Sequence, residues 1–129
     1  MNPKIFPVIA ALIGLGACAT PVPQQRANFV PNAPQALVRM AQIDADAAID
    51  VGTGYARTLP RGTVLKFVGS IDQGDVYRPV NYVLTLEGAN IHEVYIVVNR
   101  TDIVGFFMPV ELAFVPSRAP ILNKFSIRG

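Results

Sequence analysis

The sequence predicts a mainly β fold, a small antiparallel meander or barrel-like sheet, with one helix on its N-terminal side that would make the class α+β. Three observations predict it. From Leu59 onward, short runs rich in β-branched and aromatic residues are separated by Gly, Pro, Asn and Asp, the composition of strands and turns. Several runs alternate apolar and polar side chains, the period of a strand with one buried face. Connections such as Glu87-Gly88-Ala89 and Asn99-Arg100-Thr101-Asp102 have hairpin length.

In chain order, residues 1–17 read as a leader. Lys4 is the one cation of a short n-region, and Ile5 to Gly16 is apolar. As a helix that run is roughly 18 Å long, too short for a hydrocarbon core of about 30 Å and suited to a signal-peptide h-region. Leu15-Gly16-Ala17-Cys18 closes it with the single cysteine of the chain and resembles the bacterial lipobox. The resemblance implies signal-peptidase recognition of Leu15, Gly16 and Ala17, cleavage after Ala17, and diacylglycerol on Cys18, with a further acyl chain such as palmitate on the new terminus. Two or three chains suit stable anchoring, since one alone is marginal. Ala19 at the following position, where Asp resembles an inner-membrane retention signal, points to the outer membrane and a periplasm-facing domain. Acylation consumes the thiol, so no disulfide is available to the fold.

Residues 18–34 read as the lipidated Cys18 and a Pro-rich tether. Pro21, Pro23, Pro31 and Pro34 interrupt a stretch without apolar periodicity, and as polyproline II its length would lift a domain by up to roughly 45 Å. The domain itself is expected over 35–129. Leu37, Met40, Ala41 and Ala48 could share one face of a helix over 35–47, while Ala47, Ile49 and Val51 alternate as a strand near 47–51.

Thr63 to Ile71 is read as a strand with Leu65, Phe67 and Ile71 on one face and Gly69 permitting a bulge or close approach. Asp72-Gln73-Gly74-Asp75 is a turn, followed by a short edge strand ending at Pro79. Asn81 to Leu86, Asn90 to Val98, Ile103 to Met108 and Val110 to Val115 follow as strands, with Pro116 and Pro120 ending regular structure. The hairpin of 90–98 and 103–108 is apolar on both faces, so it must be covered twice, by the rest of the domain or by another chain.

Chemistry is sparse. His92 is the sole histidine, and neighbouring Glu93 points to the opposite face of a strand. Ser70, Ser117 and Ser126 lie in no nucleophile elbow, and Gly52-Thr53-Gly54 lacks the remainder of a phosphate loop. Asp44, Asp46 and Asp50 begin like a calcium loop, but the sixth position is not Gly and the twelfth, Tyr55, is not Glu. No enzyme, metal or cofactor is expected. The formal charge of +2, about +1 without the Lys4-bearing leader, gives no electrostatic case for nucleic acid.

Pro60-Arg61-Gly62-Thr63, Gly74-Asp75-Val76-Tyr77-Arg78-Pro79, Ile91-His92-Glu93-Val94-Tyr95 and Gly105-Phe106-Phe107-Met108-Pro109 together look similar to small proteobacterial lipoproteins, over about residues 55 to 125. The resemblance implies a domain and no activity. The expected function is a lipid-anchored, non-enzymatic interaction or envelope/secretion-assembly accessory, with a protein partner or homo-oligomer because a small unstapled domain is marginal alone. The alternative is a binder of a small apolar ligand. Tyr82, Tyr95, Phe106 and Phe107 are the candidate interaction or ligand surface in either case.

Overall fold

A computed structural model describes residues 20–55 and 57–128. The leader and the motif Leu15, Gly16, Ala17 and Cys18 lie outside the described residues. In chain order the strands are β1 (Gln25–Arg26), β2 (Val30–Pro31), β3 (Met40–Ile43), β4 (Ala47–Ile49), β5 (Arg57–Leu59), β6 (Val64–Ile71), β7 (Gly74–Pro79), β8 (Thr85–Glu87), β9 (Ile91–Glu93), β10 (Tyr95–Asn99), β11 (Asp102–Met108), β12 (Ala113–Ile121) and β13 (Phe125–Arg128). The pairing is antiparallel throughout. The fold is mainly β, as the punctuation of the sequence predicts.

The main sheet runs β1-β12-β11-β10-β7-β6-β3-β13, and β2 adds to β6 beside this path. In a flat sheet six strand steps, about 29 Å, would separate β12 from β13. Only residues 122–124 join them, a reach of at most about 14 Å from Ile121 to Phe125. The sheet is therefore rolled, with Ile121 and Phe125 both in the core it encloses. Two excursions close over that core. The hairpin β4-β5 is inserted between β3 and β6, and β8-β9 between β7 and β10. They contribute Ala47, Ile49, Leu59 and Leu86, which meet Leu65, Ile96, Phe106 and Val115 of the main sheet. Full burial of a side chain of Leu, Ile or Phe size contributes about 1.5–3 kcal/mol.

No helix occurs among the described residues, so the helix expected over 35–47 is corrected to strands β3 and β4. Leu37, assigned to its apolar face, is 90% exposed, whereas Ala41 and Ile43 are fully buried at the two-residue spacing of β3. This strand pairs with β6 on one side and β13 on the other. Helix propensity is a weak prior that such pairing overrides. The alternating reading near 47–51 matches β4, where Ala47 and Ile49 are buried, and Val51 beyond it is buried too.

The expected tether is also corrected. Val22, Ala27 and Phe29 are packed although most of their neighbours are exposed: β1 pairs β12, β2 pairs β6, and the segment between them crosses the outer face of the sheet. There Ala27 and Phe29 join Ile71, Val76, Val97, Phe107 and Phe114 in a second, smaller core. Phe29 stacks on Phe107 with ring centroids 5.0 Å apart. The doubly apolar hairpin β10-β11 is thus covered on one face by the rolled domain and on the other by this strap. The spacing of Val22, Ala27 and Phe29 has neither a helical nor a strand period, which is why the strap reads as linker.

Bulges displace several expected faces. Register shifts at Phe67/Gly69 in β6 and at Ile103/Gly105 in β11. Ile71 therefore faces the outer core while Leu65 and Phe67 face the inner one, and Ile103 sits with Phe106 and not with Phe107. Asn90 to Val98 is divided at Val94 into β9 and β10, which belong to different sheets. The strand expected over 110–115 begins at Ala113 and continues through Pro116 and Pro120 to Ile121. β1 pairs only with Ala113 and Phe114, and farther along the Arg118 amide donates to the Asp50 carbonyl; the two prolines stand beyond the β1 pairing, where a missing amide is tolerated.

Candidate functional site

Of the aromatic residues singled out in the sequence, only the tyrosines line a surface. Tyr82 and Tyr95 border a cleft of about 240 Å³ shared with Arg78, Val80, Val83 and Glu93. Val80, Tyr82 and Val83 are exposed there, in the irregular stretch that precedes β8. Tyr95 opens β10, and its ring tilts toward Phe107 at 6.4 Å. Phe106 and Phe107 are corrected from surface to core: their exposures are 0% and 1%, and as neighbours on a strand they enter opposite cores. Neither presents a ring to a partner.

His92 faces Glu111, a pairing that sequence separation hid. The β8-β9 hairpin carries His92 to the turn between β11 and β12, where its Nδ1 lies 2.7 Å from Glu111 Oε2. The histidine side chain is mostly covered and the carboxylate is about one-third exposed. Such a pair orients an imidazole and can exchange a proton. The serines stand on other elements, Ser70 on β6, Ser117 on β12 and Ser126 on β13, and the Ser117 hydroxyl donates to the Ala119 carbonyl. No hydroxyl nucleophile from a serine therefore adjoins the imidazole on its own hairpin. Glu111 also borders a polar groove of about 370 Å³ between Leu112 and strap residues Gln24 to Asn28, where the Ala27 amide donates to the Leu112 carbonyl.

The acidic residues of the supposed loop serve as turn acceptors. Asp46 accepts from the Arg61 amide and Asp50 from the Gly52 amide. Asp50 also lies 3.7 Å from Arg118, and Arg57 lies 3.5 Å from Glu87. These two ion pairs line or flank a cleft of about 530 Å³ beside Tyr55 and Gly52. Each arginine there has an acidic neighbour, so the cleft has no strong net charge for steering a polyanion.

A partly exposed ion pair beside a buried tyrosine is the feature the sequence did not announce. Arg39 Nη2 donates to Asp75 Oδ2 at 2.9 Å and its guanidinium lies 3.9 Å from the Phe67 ring centroid. Beside them the Tyr77 hydroxyl is buried without a hydrogen-bond partner. Burial raises the Tyr77 pKa; the Arg39 charge opposes that rise and the Asp75 charge adds to it. Arg39, Asp75 and Tyr77 occupy distant sequence positions or alternate strand positions without any motif, so only the pairing of β6 with β7 and the approach of the segment before β3 assemble them.

Compared with known proteins, the chain matches no family model, no curated protein sequence and no solved structure.

Proposed function

We propose that the protein is an outer-membrane lipoprotein, anchored through Cys18 and facing the periplasm, that acts as a non-enzymatic interaction or envelope/secretion-assembly accessory. The observation that carries this reading is the Leu15-Gly16-Ala17-Cys18 motif at the end of a short apolar leader. The surface that best suits a protein partner is the exposed Val80, Tyr82 and Val83 around the Tyr95 cleft, since tyrosine offers a large amphipathic contact at modest entropic cost. A small apolar ligand is the second reading; with Phe106 and Phe107 packed in the cores, Tyr82 and Tyr95 are the aromatic residues left to meet it at this cleft.

Metabolic labelling with a tagged fatty acid tests the anchor: label on the wild type that disappears in Cys18→Ser is expected, and label retained in that variant refutes it. A photocrosslinking residue at Val83, 65% exposed, tests the surface in growing cells. One discrete adduct that Tyr82→Glu abolishes is the expected result. Absence of any adduct, with the protein folded and acylated, counts against a partner at this cleft.

A further inference from the structure

We infer that the side of the domain bearing Ile91, Val110 and Leu112 lies directly on the membrane that holds Cys18, these side chains entering its interfacial layer; this rests on the lipoprotein reading above.

Cys18 and Thr20 are two residues apart, so their Cα atoms are separated by at most about 7 Å. Thr20 is already seated on the domain. A Cβ built on Gly88, at the tip of the β8-β9 hairpin, would stand 2.7 Å from the Thr20 carbonyl oxygen and 2.9 Å from Val22 Cγ2. Val22 itself is buried in the inner core. An acyl group on Cys18 therefore has no spacer: the bilayer surface must pass within a few side-chain lengths of this hairpin tip.

The contacts continue from that point. Ile91 pairs with Glu87 beside the tip, and its neighbour His92 is bound to Glu111. Val110 and Leu112 flank Glu111, and Leu112 returns to the strap through the Ala27 amide. Thr20 and Val22 and three large apolar residues thus lie on elements linked one to the next, with exposures of 67% for Ile91, on the strand face opposite His92, 80% for Val110 and 52% for Leu112. Leu112 is held exposed at φ 55, a conformation that a leucine rarely adopts. Exposed apolar residues grouped beside a lipid attachment point are suited to the headgroup and acyl boundary, where their burial adds to the anchoring of the chains. Arg26, exposed on β1 in the same region, supplies a cation for lipid phosphate.

The test uses the full-length protein produced in an acylating bacterium and reconstituted into phosphatidylethanolamine/phosphatidylglycerol vesicles. Acylation occupies the native thiol, so a new cysteine carries a fluorophore uniquely. Val110→Cys places it in the proposed face; Asp72→Cys places it in the β6-β7 turn, away from β12 in the sheet order. With a nitroxide quencher on the lipid headgroups, loss of fluorescence is expected at position 110 and not at 72. Combining Ile91→Ser with Leu112→Asn should reduce that loss, as should a flexible Gly/Ser run inserted between Ala19 and Thr20. Acylated protein whose two probes are equally unquenched overturns the face while leaving the anchor intact. Protein whose intact mass lacks the lipid overturns the lipoprotein reading and this inference with it.

Discussion

Tyr77 shows how one polar atom in the core sets a pH response. Its hydroxyl is buried and unpartnered, and an unsatisfied group of this kind costs about 1–3 kcal/mol relative to its solvated state. Tyr77→Phe is expected to raise unfolding stability by about 1 kcal/mol, measured in urea, with the Arg39–Asp75 pair retained. The folded pKa lies above the ordinary 10.0 because burial disfavours the phenolate. The unfolded chain then loses this proton first as pH rises, so stability present below pH 10 declines through the interval up to the folded pKa. Tyr77→Phe should flatten that alkaline decline; a variant as alkali-sensitive as the wild type contradicts the assignment. Gly69 is limited by space: a Cβ there would stand 2.4 Å from the Val30 carbonyl oxygen and 2.6 Å from Phe29 Cζ. Gly69→Ala should destabilise by about 3 kcal/mol by prising the strap from β6. Leu112→Asn is expected to do the opposite, stabilising by about 1 kcal/mol because Asn tolerates the left-handed region.

The strap from Val22 to Pro31 is the element whose role differs most from its sequence. Prolines and glutamines surround its apolar residues, yet Phe29 covers Phe107 and Ala27 extends the cover. Phe29→Ala should destabilise by about 2 kcal/mol, combining lost apolar burial with the aromatic pair. A chain beginning at residue 35 would bare Val76, Val97, Phe107 and Phe114, and is expected to self-associate on size exclusion, whereas one beginning at residue 20 should not. Equal behaviour of the two would show that the strap is dispensable. Hairpins β6-β7 and β10-β11 were legible because turn residues and β-branched runs report local geometry, but β7, read as an edge strand because of Pro79, is central and paired with both β6 and β10. β8-β9 was half legible: its Gly88 turn was evident, but the break at Val94 reflects membership of a separate sheet.

The two cores lie on opposite faces of shared strands, so they should not melt independently. Val97 and Ile96 are adjacent in β10, Phe106 and Phe107 in β11, each pair divided between the cores. Urea unfolding is expected to show one transition by both far-ultraviolet circular dichroism and tyrosine fluorescence, and Phe29→Ala should shift its midpoint without splitting it. Two separate transitions would contradict the shared-strand arrangement. Strand composition, hairpin turns and the need to cover β10-β11 twice all follow from side-chain chemistry within a few residues, and are read without coordinates. So is the motif ending at Cys18, which rests on local spacing alone. The rolling that brings Ile121 beside Phe125, the bulges that reassign Ile71 and Ile103, the burial of Phe106 and Phe107, and the meeting of His92 with Glu111 depend on contacts between distant positions. Period-two alternation specifies which side chains share a face only while the register is unbroken, and a bulge or a strap is decided by how surfaces fit once the chain has closed on itself.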